Sequence, residues 1–130
     1  MSKHGPKERF NRYKTLEEAI SGILSESPNL IEEIKQVKTE DHFISLSHFS
    51  LGMQLRNSLG LWATPQDSTL VKWFWDKGLT HADDMSSVIL KALFRKVHHV
   101  DYPETALRHD IEKMQKFWLD QIFDEGESTW

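Results

Sequence analysis

The run from Phe43 to Trp62 constrains this chain more than any other stretch. It reads Phe-Ile-Ser-Leu-Ser-His-Phe-Ser-Leu-Gly-Met-Gln-Leu-Arg-Asn-Ser-Leu-Gly-Leu-Trp, and Arg56 is its one Lys, Arg, Asp or Glu. Ile44, Leu51, Leu55 and Leu59 fit one helical face, and Leu46, Phe49 and Met53 an adjacent one. Alternation around Ile44-Ser45-Leu46-Ser47 competes as a strand, but the helical register accounts for more of the residues. A helix with so little polar surface belongs inside a domain rather than on it. The expectation is therefore a central hydrophobic helix over about 43–59, with the other helices wrapped around it. Gly60 stands where a left-handed helix cap belongs, and Leu61-Trp62 reads as a buried anchor behind it. Gly52 in mid-helix costs about 1 kcal/mol against alanine, which predicts close approach by another backbone or a large ring.

The flanking segments read as shorter amphipathic helices. Thr15 and Glu18 form a capping box ahead of Leu16, Ala19, Ile20, Ile23 and Leu24. Ser27-Pro28 restarts the chain, with proline at a first helical position where its missing N–H is harmless. Leu30, Ile31, Ile34 and Val37 then face inward, completing a helical hairpin. Thr64-Pro65 repeats the device before Leu70, Val71, Trp73 and Phe74, and Gly78 closes that helix. Thr80 or His81 caps the next, whose stripe is Met85, Val88, Ile89, Ala92, Leu93 and Val97. A last helix from about Pro103 to Phe123 repeats Leu107, Ile111, Met114, Trp118 and Ile122.

The chain is expected to be all-α: a single compact domain of about six helices. Residues 1–14 form a flexible basic arm, 15–124 the helical domain and 125–130 a frayed acidic tail. A chain of 130 residues buries about two-thirds of its unfolded surface without disulfides or metals. It has no cysteine, which excludes disulfides, thiolate metal sites and cysteine nucleophiles and agrees with a reducing, cytoplasmic setting. No apolar run approaches a membrane span, and the N-terminus lacks the apolar core of a signal peptide. The formal net charge of −4 argues against nucleic acid as a whole-surface partner. The charge is uneven: Lys3, Lys7, Arg9, Arg12 and Lys14 crowd one end, and Asp120, Asp124, Glu125 and Glu127 the other.

Two motifs carry a family resemblance. His48-Phe49-x-Leu51-Gly52-Met53-x-x-Arg56-Asn57-x-x-Gly60-Leu61-Trp62, followed by His81-Ala82-Asp83-Asp84-Met85-Ser86-x-x-Ile89, resembles a small bacterial family of unknown function, domain-of-unknown-function family 6794. The likeness spans roughly Thr15 to Val97. Proline often stands in that family where this chain has Ala82, and an aromatic where it has Leu59. Both departures are compatible with the same helix start and core. The resemblance implies a compact helical domain and supplies no activity, substrate or catalytic residue.

The most suggestive polar set is His48, Arg56, Asn57, His81, Asp83, Asp84 and Ser86. Read functionally, these gather in a pocket where Arg56 grips an anion and His81 with an aspartate moves protons or binds a metal. Read structurally, Asp83, Asp84 and Ser86 satisfy the first turn of their helix, and Arg56 pairs with one of the aspartates to clip two helices together. Caps and buried ion pairs are commoner than sites, so the structural reading is preferred. His98-His99-x-Asp101 has the composition of a metal cluster but reads as a solvated loop, and no cofactor is expected. No nucleophile elbow or glycine-rich phosphate loop is present. Trp62, Trp73, Phe74, Phe94, Phe117 and Trp118 fit core stripes, whereas Trp75 and Trp130 do not. Trp75, Asp76, Asp124, Glu125 and Trp130 therefore make a candidate face for a protein partner with a basic surface. The expected function is a small non-enzymatic protein-binding domain, an inhibitor, immunity or regulatory protein of a bacterium or phage. The alternatives are an enzyme or ligand-binding domain using the polar set, and nucleic-acid binding through the basic arm.

Overall fold

Side-chain hydroxyls cap three of the helix starts. Thr15 Oγ1 accepts from Glu18 N–H at 3.2 Å, and Glu18 reaches back to the N–H of Lys14, one residue before the position a capping box would use. The computed structural model describes the backbone over residues 12–128 and side chains over 12–122. Its elements are α1 (Leu16–Glu26), α2 (Pro28–Gln36), α3 (Glu40–Ser47), α4 (Leu51–Ser58), α5 (Thr69–Asp76), α6 (Ala82–Val97) and α7 (Glu104–Ser128). Among the described residues the chain is all-helical, with no strand, and forms one domain around one core. Residues 1–11 of the expected arm, and the side chains of Asp124, Glu125 and Trp130, lie outside the described residues. Arg12 to Lys14 are attached: Arg12 pairs with Glu26, Tyr13 packs against the core, and Thr69 donates to the Tyr13 carbonyl.

The expected central helix over 43–59 is not the centre. The run divides at residues 48–50 into α3 and α4. One of its two apolar faces goes inward, with Leu55 and Leu59 buried and Ile44 and Leu51 half-buried, and Phe43 is buried beside it, while Leu46, Phe49 and Met53 stand exposed. The centre is α6, ten of whose sixteen residues are buried and which α1, α2, α3 and α4 all touch. Its charged side chains disguise this. Lys91 and Arg95 look like a water-facing edge, but carboxylates from neighbouring elements cover them. A helix can thus be buried on its charged side when ion pairs replace water there.

Other boundaries shift for local reasons. Ser68, not Thr64, caps α5: it is 1% exposed and accepts from Val71 N–H at 3.1 Å. Thr64-Pro65 instead opens a turn whose carbonyl takes the N–H groups of Asp67 and Ser68. Thr39 Oγ1 caps α3. The end of α4 shows the expected left-handed glycine, Gly60 (φ 65°), and Gly78, expected to close α5, is left-handed too (φ 96°). Leu61 and Leu79 reach back from these to the carbonyls of Arg56 and Phe74, the paired bonds of a Schellman cap. Leu61 is buried, but Trp62 is 61% exposed, so the expected anchor is the leucine alone. Phe117 is also exposed rather than in the core.

Candidate functional site

Arg56 comes from the last turn of α4 and lies back along its own helix. A Cβ at Gly52 would stand 3.2 Å from Arg56 Nη1 and 3.4 Å from the Ser47 carbonyl. Gly52 thus makes room first for a guanidinium and then for the backbone carbonyl that ends the preceding helix, not for a ring. Arg56 is 3% exposed. Its Nη1 donates to Ser86 Oγ at 2.8 Å, and Ser86 Oγ donates to the Asp83 carbonyl at 2.9 Å. Nε lies 3.4 Å from Asp83 Oδ1 and makes no hydrogen bond, so that contact is an ion pair without directed bonding. Asp83 itself is exposed. The cation is sealed while its counter-ion stays wet.

Asp84 points elsewhere. Its Oδ2 accepts from Trp118 Nε1 of α7 at 2.7 Å, and the Trp118 ring stacks on His81 at 4.0 Å. Burial pushes the Asp84 carboxyl above the usual range, with the Trp118 bond opposing that shift. Asn57 Oδ1 accepts from Trp62 Nε1 at 3.2 Å, and His48 meets Phe49 edge to face. The seven residues of the expected pocket are therefore distributed over four contacts. Arg56, Asp83 and Ser86 form one, His81 and Asp84 share Trp118, and Asn57 and His48 have partners of their own.

A second polar constellation joins elements far apart in sequence. Glu40 of α3 takes Arg95 Nε at 2.7 Å and lies 3.6 Å from Lys91 Nζ. Lys91 reaches Asp110 of α7 at 2.7 Å, and the Tyr102 hydroxyl donates to the same Asp110 oxygen at 2.6 Å. Both cations also sit over the Tyr102 ring. Burial alone would raise the Asp110 pKa, but hydrogen bonds from Lys91 and Tyr102 and the nearby cations outweigh it and hold it low. Burial first, then the Asp110 bond, drives the Tyr102 phenol far upward, so it stays a neutral donor. The network separates two shallow hollows. One, of about 350 Å³, is bounded by Leu16, Ile20, Arg95 and Tyr102; the other, of about 360 Å³, by Ile44, Val88, Lys91, Asp110, Met114 and Phe117. Each charge of the network has a partner within it, so its chemistry is that of a clamp between helices. Sequence reading missed it because carboxylates some 50 and 20 residues away carry no local signal. The i, i+4 pair Lys91 and Arg95 was its one visible trace.

His98, expected on a solvated loop, is half-buried. It stacks on Phe94 at 4.1 Å and its Nε2 lies 3.0 Å from the Ile34 carbonyl. No group of three or more His, Asp or Glu among the described residues is arranged to hold a metal. Trp75 is 47% exposed, and neighbouring Asp76 pairs with Lys72. No helix among the described residues is long and apolar enough to cross a membrane.

Residues 14–97 match the family described as Domain of unknown function (DUF6794), and the chain belongs to that family. The match spans α1 to α6 and leaves α7 outside. No curated protein matches the chain, and no solved structure does.

Proposed function

We propose, for a chain whose family description names no activity, that this is a non-enzymatic protein-binding domain. It docks an acidic, aromatic-bearing face on a larger protein of basic surface, in the manner of inhibitors, immunity proteins and regulatory subunits in the bacterial or phage cytoplasm. The observation that carries this reading is how the large apolar side chains are distributed. Phe49, Trp62, Trp75, Phe117 and Ile122 are 47–82% exposed, on a domain that otherwise gathers its apolar side chains in one buried cluster. Four of these five are aromatic, and aromatic residues are enriched at protein interfaces relative to the rest of the surface. Chemistry at the polar set finds less support, because the Arg56 guanidinium is closed off and its hydrogen bond to Ser86 is internal.

Affinity purification of the tagged full-length chain from its native cell, followed by identification of what co-elutes, tests this. The expected result is one protein in stoichiometric amount that rebinds when purified, with affinity that falls as salt rises. Co-elution of a metabolite or metal without a protein would overturn the reading. Retention of DNA with a steep salt dependence would favour the basic arm instead.

A further inference from the structure

We infer that the distal half of α7 is the docking element, and that its occupant is an apolar groove with a basic rim on another protein. This rests on the protein-binding reading above and names the surface and the chemistry of its partner. The helix is anchored by its proximal half. Leu107 and Ile111 are buried, Met114 is half-buried against the core, and Trp118 makes the bond to Asp84. Among the described side chains beyond Trp118, those of residues 119–122 are all exposed, and the backbone stays helical to Ser128. At 1.5 Å per residue that makes about 15 Å of helix beyond Trp118.

The segment beyond Trp118 carries two features that select a partner. Leu119 and Ile122 are 56% and 62% exposed, and three residues apart they share a helix face. No Lys or Arg follows Lys116, whereas Asp120, Asp124, Glu125 and Glu127 do. Positions 120, 124 and 127 run along another side of the helix, about 80–140° round from Leu119. An amphipathic helix presented in this way fits a groove that meets its apolar face with hydrophobic side chains and its acidic side with Lys or Arg. A second copy is disfavoured, because pairing two such segments sets carboxylates against carboxylates. An anionic membrane is disfavoured on the same ground.

Photo-crosslinking tests the inference in the full chain and its native cell. With Leu119→p-benzoylphenylalanine, the expected product joins position 119 to another protein, at a groove whose rim carries Lys or Arg. With that partner purified, Leu119→Asp with Ile122→Asp weakens binding at least about 30-fold. Raising salt from about 50 to about 500 mM weakens it at least about tenfold, and the melting temperature of the variant stays that of the parent. Crosslinks to a second copy, to the chain's own residues 1–14 or to lipid, or no crosslink at all, overturn the inference. The same label at Trp75 separates the two readings. A partner captured at 75 and not at 119 leaves the protein-binding function standing and removes this docking element; capture at neither position removes both.

Discussion

Arg56 and Asp83 form an unequal pair, and the inequality decides what each substitution does. The guanidinium is almost entirely buried, hydrogen-bonded to Ser86 and packed over Gly52, while the Asp83 carboxylate is 58% exposed. Arg56→Ala leaves the Ser86 hydroxyl without its donor and opens a void, so it is expected to destabilise by about 3 kcal/mol. Asp83→Ala removes only a screened, undirected contact and should cost less than about 1 kcal/mol. Denaturant melts of both variants check this, and equal losses would contradict it. That Arg56 meets an aspartate was legible from charge alone. Which of two adjacent aspartates it meets was not, because neighbours on a helix point about 100° apart and Asp84 is claimed by Trp118, from a helix outside both motifs. His99 supplies a second residue-scale expectation. It occupies φ 58° at the end of α6, where Val100 N–H returns to the Arg95 carbonyl, the position that Gly60 and Gly78 hold elsewhere. Left-handed backbone burdens a side chain that has a Cβ, so His99→Gly is expected to stabilise by roughly 0.5–1 kcal/mol in the same melts.

At the scale of elements, α6 and α7 are joined by two aspartates with opposite responses to pH. Asp110 is held below the usual carboxylate range, so the folded state releases its proton more readily than the unfolded chain. Its contribution to stability is present above the unfolded pKa of about 4 and is lost as pH falls through the folded value. Asp84 is raised by burial, and the sign reverses: its contribution is complete below about pH 4 and disappears as pH rises through the folded pKa. Asp110→Asn should therefore destabilise at neutral pH, while Asp84→Asn, which keeps an acceptor for Trp118, should leave stability unchanged or higher there. In acid, where both native carboxyls are protonated, each variant should converge on the parent. Urea melts across pH check the pair, and two profiles running parallel to the parent would show that neither carboxylate couples α6 to α7. The helices themselves were legible because Thr15, Pro28, Gly60 and Gly78 mark their ends locally. The centre was not. Counting apolar residues favours 43–59, yet Leu46 and Phe49 lie outside, whereas Lys91 and Arg95 make α6 look peripheral until Glu40 and Asp110 arrive from elsewhere in the chain.

On the scale of the whole molecule, α7 is both part of the core and an extension of it, and truncation separates the two. Leu107 and Ile111 belong to the buried cluster, and Trp118 bonds to the start of α6, so the helix up to Trp118 completes the domain. Removing residues 103–130 would strip Leu107, Ile111 and Met114 from the core and Asp110 from Lys91, uncovering apolar surface and leaving Lys91 without its 2.7 Å carboxylate. Loss of two buried aliphatic side chains, each contributing about 2 kcal/mol by area, together with that partner is large beside the 5–15 kcal/mol of a typical domain. This truncation should melt broadly or fail to fold. Ending the chain after Trp118 should differ sharply, since residues 119–122 are exposed and the anchor contacts survive. Its melting temperature should stay within about 3 °C of the parent. Thermal melts of the two truncations, with limited proteolysis of the intact chain, decide the matter. Protection of the 119–128 segment equal to that of α6 would mean that α7 is held along its whole length and has no free end to offer.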